Sequence, residues 1–249
     1  MRIAAFQRFP IYDDEAAIAD ALYRDLCWAD SQGIHLALFP ECHVLGHSYD
    51  ASVIAARARR TDGEFWRGLL ARLTSISATA ILGAFERHDG YITNSAIVVE
   101  GGRITGRYAK AYPNEAGVAA GRDFPVFTRP GIRFGINICY DANHPDAAQY
   151  LADQGAALIC YPLNNMMKPA TADIWRTRSV ENLQARARQT GCWIMSADVT
   201  GSHDRKLSYG ATMIVDPDGE IVARAAEQVE DVAMFDLPRT LASELPGAN

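Results

Sequence analysis

The chain contains no apolar run approaching the ~20 residues that a bilayer-spanning helix requires, so no membrane partner is expected. It has no basic stripe either. Lysine and arginine are scattered, with only Arg57, Arg59 and Arg60 close together, and the formal net charge is −6. That balance argues against nucleic acid or an anionic membrane surface as a partner. No linker, low-complexity stretch or short-period repeat interrupts the 249 residues, so a single domain over 1–249 is expected. The five cysteines, Cys27, Cys42, Cys139, Cys160 and Cys192, include no C-x-x-C pair, which disfavours a disulfide framework or a zinc knuckle. Met1 to Phe6 lacks the basic-then-apolar pattern of an export signal, so reduced thiols and a cytoplasmic location are expected. Cys27, Cys160 and Cys192 lie inside apolar runs and are expected in the core.

What is present is an alternation of strand-like and helix-like segments. The 49% hydrophobic and 22% charged content suits an ordinary globular chain with a large core. Ile3 to Phe9 reads as a strand, and Asp13 or Asp14 caps a helix that places Ile18, Leu22, Leu26 and Ala29 on one face before Gly33 ends it. Leu36 to Phe39 is a second strand, closed by Pro40-Glu41. Glu64 to Ile76 reads as a helix, Thr79 to Phe85 as a strand, and Tyr91 to Val99 with Arg103 to Tyr108 as a hairpin leading to Lys110. The stretch from Ala111 to Val126 is irregular. An apolar run from Gly131 to Ile138 then ends in Cys139, and Asn143 carries the signal of a helix cap with Asp146 three residues on. That helix ends near Gly155. Ala157 to Tyr161 (strand), Ile174 to Thr190 (helix), Cys192 to Val199 (strand) and a final hairpin turning at Asp216-Pro217-Asp218-Gly219 complete the pattern. Such alternation indicates an α/β fold with helices covering buried, mostly apolar strands. Periodicity alone fits a doubly wound single sheet as well as two stacked sheets.

Three polar side chains stand just past apolar segments: Glu41, Lys110 and Cys139. A thiol at the tip of a buried strand becomes a strong nucleophile when a base and a positive neighbour are at hand, and a carboxylate and an ammonium are those two partners. Considered singly, each has a commoner explanation: a cysteine in an apolar run is usually core, and a strand-end Glu or Lys is usually a solvated rim residue.

The segments around these residues resemble the carbon–nitrogen hydrolase family, also called the nitrilase superfamily. Leu38-Phe39-Pro40-Glu41 with Gly46 matches its base motif. Tyr108-Ala109-Lys110, preceded by Asn94-Ser95-Ala96, matches its lysine motif. Ile138-Cys139-Tyr140-Asp141 matches its nucleophile segment, with His144-Pro145-Asp146 in place of a Phe-Pro-Glu-like triplet. Glu115, Gly155-Ala156, Arg178, Glu181, Asn182 and Tyr209-Gly210 also fall where the family has them, and the resemblance covers residues 1 to 238. It implies a four-layer αββα sandwich, two stacked mixed sheets flanked by helices, assembled as a homodimer or homotetramer. It further implies a Glu41–Lys110–Cys139 triad that cleaves a non-peptide C–N bond through a thioester, with Glu115 orienting substrate or Lys110. No metal or organic cofactor is implied.

Departures from the family pattern bear on the substrate. Tyr140-Asp141 stands where true nitrilases typically have Trp-Glu, which favours amides over nitriles. Ala142 and Asn143 stand where carbamoyl-amino-acid hydrolases and ω-amidases commonly have an arginine, so a bidentate clamp for a carboxylate is missing there. A small primary amide without a carboxylate at that end is the expected substrate, with Tyr140, Asn143, Asn164 and Asn165 as candidate substrate contacts. The two asparagines are equally able to cap their loop. His43 and His47 have the spacing of a helical metal pair but lie in a loop beside Gly46, so no metal site is expected. Cys42 reads as an ordinary loop residue, Trp66 and Trp175 as packing, Met166 and Met167 as residues of a pocket mouth, and Arg176, Arg178, Arg186 and Arg188 as a solvated helix face. Competing readings are an N-carbamoyl hydrolase, nitrilase or acyltransferase of the same family, an isochorismatase-like cysteine hydrolase and a non-catalytic interaction protein. The isochorismatase-like class carries an Asp on its first strand, where this chain has Gln7 and Arg8.

Overall fold

The computed structural model describes residues 1–129 and 131–238; the remainder of the expected 1–249 domain lies outside them. In chain order the elements begin with β1 (Arg2–Gln7), α1 (Glu15–Ser31), β2 (Leu36–Leu38), α2 (Ala51–Arg57) and α3 (Glu64–Arg72). There follow β3 (Thr79–Arg87), β4 (Ile92–Glu100), β5 (Arg103–Ala109), β6 (Val126–Arg129) and β7 (Ile132–Ile136). A single 3₁₀ turn, Cys139–Asn143, leads into α4 (Pro145–Asp153), β8 (Leu158–Pro162), α5 (Pro169–Thr190) and β9 (Trp193–Ala197). The chain closes with β10 (Gly201–His203), β11 (Lys206–Ser208), β12 (Met213–Val215), β13 (Ile221–Arg224) and β14 (Asp231–Asp236).

Two six-stranded mixed sheets result, ordered β14-β1-β2-β3-β4-β5 and β13-β12-β9-β8-β7-β6. The period of two along each strand explains the layering. In β1, Ile3 and Ala5 point into a core shared with the other sheet, where they join Phe134, Ile136, Leu158, Cys160 and Met195. Ala4 and Phe6 point the opposite way, against Ile18, Leu22 and Leu26 of α1 and Trp66 and Leu69 of α3. In β8, Leu158 and Cys160 face the shared core, whereas Ile159 and Tyr161 face Leu151 of α4 and Leu183 and Ala187 of α5. Both faces of both sheets are therefore covered, and the four-layer αββα sandwich expected from the resemblance is the architecture. Strands buried on both faces read as continuous apolar runs, which is why their pattern alone could not separate one sheet from two.

Some local expectations are corrected. Cys27 is exposed: it sits one residue round α1 from the buried Leu26, outside the inward face. Asn143 does not cap α4. Pro145 occupies the first helical position, where its missing N–H costs nothing, so His144 becomes the cap and Asn143 remains in the 3₁₀ turn. α5 begins at Pro169 and not at Ile174 for the same reason. α3 stops at Arg72; Leu73 and Ile76 stay buried in tight turns beyond it. The short α2 buries only Ile54, so it gives almost no periodic signal, and Asp50 starts it by accepting from the Ser52 and Val53 N–H groups. β10, β11 and β14 were not anticipated either.

Candidate active site

Strands β1, β2, β3 and β5 run one way in the first sheet, and β7, β8 and β9 are mutually parallel in the second. Polar residues gather past their carboxyl ends: Glu41 after β2, Lys110 after β5, Cys139 after β7, Asn164 and Asn165 after β8, and Asp198 after β9. The two sheets are tied at this end by the Glu41 N–H, which donates to the Leu163 carbonyl at 3.1 Å.

A buried charged group lies at the centre. The Lys110 ammonium donates to Glu41 Oε1 at 2.8 Å and to Glu115 Oε1 at 2.7 Å, and all three side chains are essentially inaccessible to solvent. Asn94, from β4, bridges the same two oxygens with its amide, at 2.8 and 2.9 Å. His47 Nε2 lies 3.0 Å from Glu115 Oε1, and the Asn114 N–H donates to Glu115 Oε2 at 3.0 Å. Burial opposes charge on Glu115, but the His47 hydrogen bond and the Lys110 ammonium outweigh it and hold its carboxyl below the ordinary carboxylate range. For Lys110 the balance runs the same way: burial disfavours the ammonium, yet Glu41, Cys139 and Glu115 raise its pKa well above the usual lysine value. Donor atoms of Glu41, His47 and Glu115 lie within 4.8 Å of one another, the spacing of a cation site. The two glutamates of this set share the Lys110 ammonium, while His47 meets Glu115.

Cys139 is partly buried and lines a cleft of about 390 Å³. Its φ of 44° is left-handed, a conformation that costs a non-glycine residue about 1 kcal/mol or more and is sustained only where the surroundings enforce it. Asp141 is the enforcing residue. Its carboxylate accepts from the Ile138 N–H at 2.8 Å, the Tyr108 hydroxyl at 2.8 Å and the Tyr112 N–H at 2.9 Å. Ile138 on the strand side and Asp141 in the 3₁₀ turn are thereby tied to each other, and Asp141 is tied to Tyr108 of β5. Burial pushes the Cys139 thiol well above its ordinary pKa, and the Glu41 charge adds to this. The Lys110 ammonium and the Asn164 N–H, which donates to the sulfur, pull it back. The resting thiol is therefore protonated, and it lies near enough to Glu41 for that side chain's charge to act on it.

The other expected contacts divide. Tyr140 and Asn143 line the cleft, and Asn143 is held by the Asn182 amide at 2.8 Å. Asn165 also lines it, but its amide donates to Asp198 at 2.7 Å and serves to anchor the wall. Asn164 turns its side chain into its own loop, accepting from the Met166 N–H; its backbone is what meets Cys139. Met166 and Met167 are cleft residues as expected, whereas Trp175 lines the cleft and was expected to be packing only. Sequence reasoning missed Asn94 as a ligand of both glutamates, and it missed His47 and Asp198. Asp198 carried a usable signal, since it follows a buried strand as Glu41 and Cys139 do. Burial raises its pKa to about 6 despite hydrogen bonds from Asn165 and Ala211.

The model of the carbon–nitrogen hydrolase family matches residues 3–246. The chain belongs to this family. Its members named among the relatives include the deaminated glutathione amidase of Escherichia coli O157:H7, 27% identical over 87% of this chain and 82% of that protein. An (R)-stereoselective amidase from a Pseudomonas species is 28% identical over 84% and 75%. In solved structures, a Nesterenkonia amidase superimposes with a TM-score of 0.83, covering 99% of this chain and 93% of that one at 21% identity. Family membership makes this carbon–nitrogen hydrolase an enzyme that acts on C–N bonds other than peptide bonds.

Proposed function

We propose that the chain forms one domain that hydrolyses a small primary amide to a carboxylate and ammonia through a thioester on Cys139. The observation that carries this reading is the buried Glu41–Lys110–Glu115 group beside a cleft-lining thiol held at left-handed φ. Cys139 Sγ attacks the amide carbon while Glu41 accepts the thiol proton. The carbonyl oxygen becomes an oxyanion, balanced by the Lys110 ammonium and the Tyr140 N–H; one such donor is typically worth about 3–4 kcal/mol. Collapse breaks the C–N bond as Glu41 returns its proton to the departing nitrogen, releasing ammonia. Glu41 then deprotonates a water that attacks the thioester, the C–S bond breaks, and the proton goes back to sulfur. Glu115 is a positioning residue: its persistent negative charge keeps Lys110 protonated and aimed. The cycle moves protons and an acyl group only, so it calls for neither redox nor metal chemistry.

Tyr140-Asp141 supports amides over nitriles, and the absence of arginine at Ala142 and Asn143 supports amides over carbamoyl amino acids. Five free thiols are consistent with work in the cytoplasm, and the family resemblance supports a homodimer or homotetramer. The test is ammonia release from a panel of primary amides, carbamoyl compounds and nitriles, with Cys139→Ala alongside. Amide turnover that drops at least about a thousandfold in the variant is expected, with an acyl adduct on intact wild-type protein by mass spectrometry. Turnover retained by Cys139→Ala would sink the thioester route.

A further inference from the structure

The chain has only three lysines against 21 arginines, and all three belong to this site. Lys110 is in the buried charged group; Lys168 and Lys206 line the cleft. Among the cleft-lining residues these two carry the formal charge and none is acidic, in a chain whose net charge is −6. Both side chains are exposed, and their placement sets two like charges together. Met167 and Leu207 form an antiparallel bridge, each N–H donating to the other carbonyl at 3.0 and 2.7 Å. One step beyond it the register sets Lys168 opposite Lys206, and like charges facing across a pair of strands repel. Among the described residues neither forms an ion pair with a carboxylate. Lysine ion pairs among the described residues are made by Lys110, while Asp173 is engaged by the Tyr209 hydroxyl and Asp204 by His203. Lys168 is moreover the N-cap residue of α5, a 22-residue helix with no acid in its first turn and no side-chain cap. The positive end of its dipole adds to the same corner.

Most of the cleft's lining surface is apolar, with Leu163, Met166, Trp175 and Leu183 contributing, and Thr171, Ser179 and Asn182 are polar residues among them. We infer that the substrate is an amide with an apolar middle and a carboxylate at its far end, held between Lys168 and Lys206. The inference rests on the amide reading above and specifies it. The carboxylate sits on the Lys168 side, and not against Ala142 and Asn143, where an arginine clamp is missing.

Monoamides of straight-chain dicarboxylic acids, in a series of increasing methylene spacer length, and their methyl esters test this by ammonia release. At the best chain length, wild type should prefer the acid over its ester about tenfold or more in kcat/KM, the preference shrinking as salt rises. In Lys168→Met/Lys206→Met the ratio should fall to near one, with the loss on the KM of the acid. Lys168→Arg/Lys206→Arg should keep it, and Lys168→Glu/Lys206→Glu should favour the ester. No preference for the acid at any length, or a preference that survives the double Met variant, overturns the inference. A second readout is independent of amide cleavage: protection of Cys139 from iodoacetamide by alkyl dicarboxylates and by their dimethyl esters. Charge-selective protection that the double Met variant loses supports the anion site even if no amide turns over, in which case the primary-amide reading fails alone. Equal protection by both series overturns the anion site itself.

Discussion

Replacing Lys110 with Met is the sharpest test of the buried charged group. The substitution keeps the length of the side chain and removes the one cation between Glu41 and Glu115. Their oxygens then face each other within 4.8 Å, a repulsion of about 3.5 kcal/mol at an effective dielectric of 20. The protein can escape by binding a proton. For a carboxyl of ordinary pKa 4.5 that escape costs about 3.4 kcal/mol at pH 7 but only about 0.7 at pH 5. The two figures agree, so a destabilisation of about 3–4 kcal/mol at pH 7 is expected, within the range for breaking a buried pair. The sign with pH follows. In wild type Glu115 titrates below its unfolded value, so its contribution is present above pH 4.5 and is lost as pH falls through the folded pKa. In the variant the repelled pair holds a proton that the unfolded chain releases, so folding improves as pH drops from 7 towards 4.5. Urea unfolding followed by tryptophan fluorescence at pH 7 and pH 5 measures both proteins. The gap should narrow from about 3–4 to about 1 kcal/mol, and Glu115→Gln added to the variant should recover much of the loss at pH 7. A gap below 1 kcal/mol, or one that does not change with pH, would refute a charged, water-excluded trio.

Gly83→Ala should damage the site through the backbone. A Cβ there would lie 2.5 Å from both the Cys42 nitrogen and the Pro40 oxygen and 3.0 Å from the Glu41 Cα, none of which can yield like a side-chain tip. A loss of about 1–3 kcal/mol is expected, with kcat falling about a hundredfold by displacement of Glu41. Gly68→Ala, in α3 with open space around it, is the control and should stabilise by up to about 1 kcal/mol. His43 should govern an acid limb of stability. It is 3% exposed, both its ring nitrogens lack hydrogen-bond partners among the described residues, and burial lowers its pKa to about 4. The neutral form is the folded one, so stability declines as pH falls from 6.5 to 4, by about 3 kcal/mol in full. Asp198, with its raised pKa of about 6, pulls the other way between pH 6 and 3.8, so the informative quantity is the difference between wild type and His43→Phe. That difference should grow on acidification; a constant difference across pH 7 to 4.5 would show that His43 is hydrated in the fold.

How much was legible in the sequence follows from where each signal resides. The strands and α1 were readable because burial is written into period and run length, as in Ile18, Leu22 and Leu26. Glu41, Lys110 and Cys139 stood out because a polar residue immediately after a buried strand breaks a strong pattern. Asn94 did not stand out, since it lies inside β4, and only the pairing of β4 with β3 and β5 brings its amide to Glu41 and Glu115. His47 and Trp175 were discounted for a related reason. Their contacts are with segments about 70 residues away for His47–Glu115, or with a cleft that exists only once α5 has docked. The facing pair Lys168 and Lys206 depends on a single bridge in a loop, which no periodicity announces.

The division of labour between the sheets gives the site its rigidity. One sheet supplies Glu41 and Lys110 at its strand ends and Asn94 within β4; the other supplies Cys139 and the Asn164 N–H. The geometry of the site would then be as soft as the packing between sheets, were it not for links that cross the gap at this end. The Glu41 N–H reaches the Leu163 carbonyl from the first sheet to the second, and the Tyr108 hydroxyl reaches Asp141. Asp141 is also the residue that holds Ile138 and the strained turn at Cys139. Tyr108 is 1% exposed and belongs to the apolar core between the sheets, so the same side chain packs the interior and fixes the turn at Cys139. Tyr108→Phe keeps that packing and removes only the hydroxyl. It should therefore leave most of the stability, costing about 1–2 kcal/mol for the lost charged hydrogen bond, while loosening Cys139 relative to Glu41. Because Asn137 also meets that hydroxyl, at 3.4 Å, its amide is left to water or to the Ile136 carbonyl at 3.1 Å. A kcat loss exceeding the stability loss, with KM nearly constant, is the mark of a link between sheets; equal losses in both would reduce Tyr108 to a core residue.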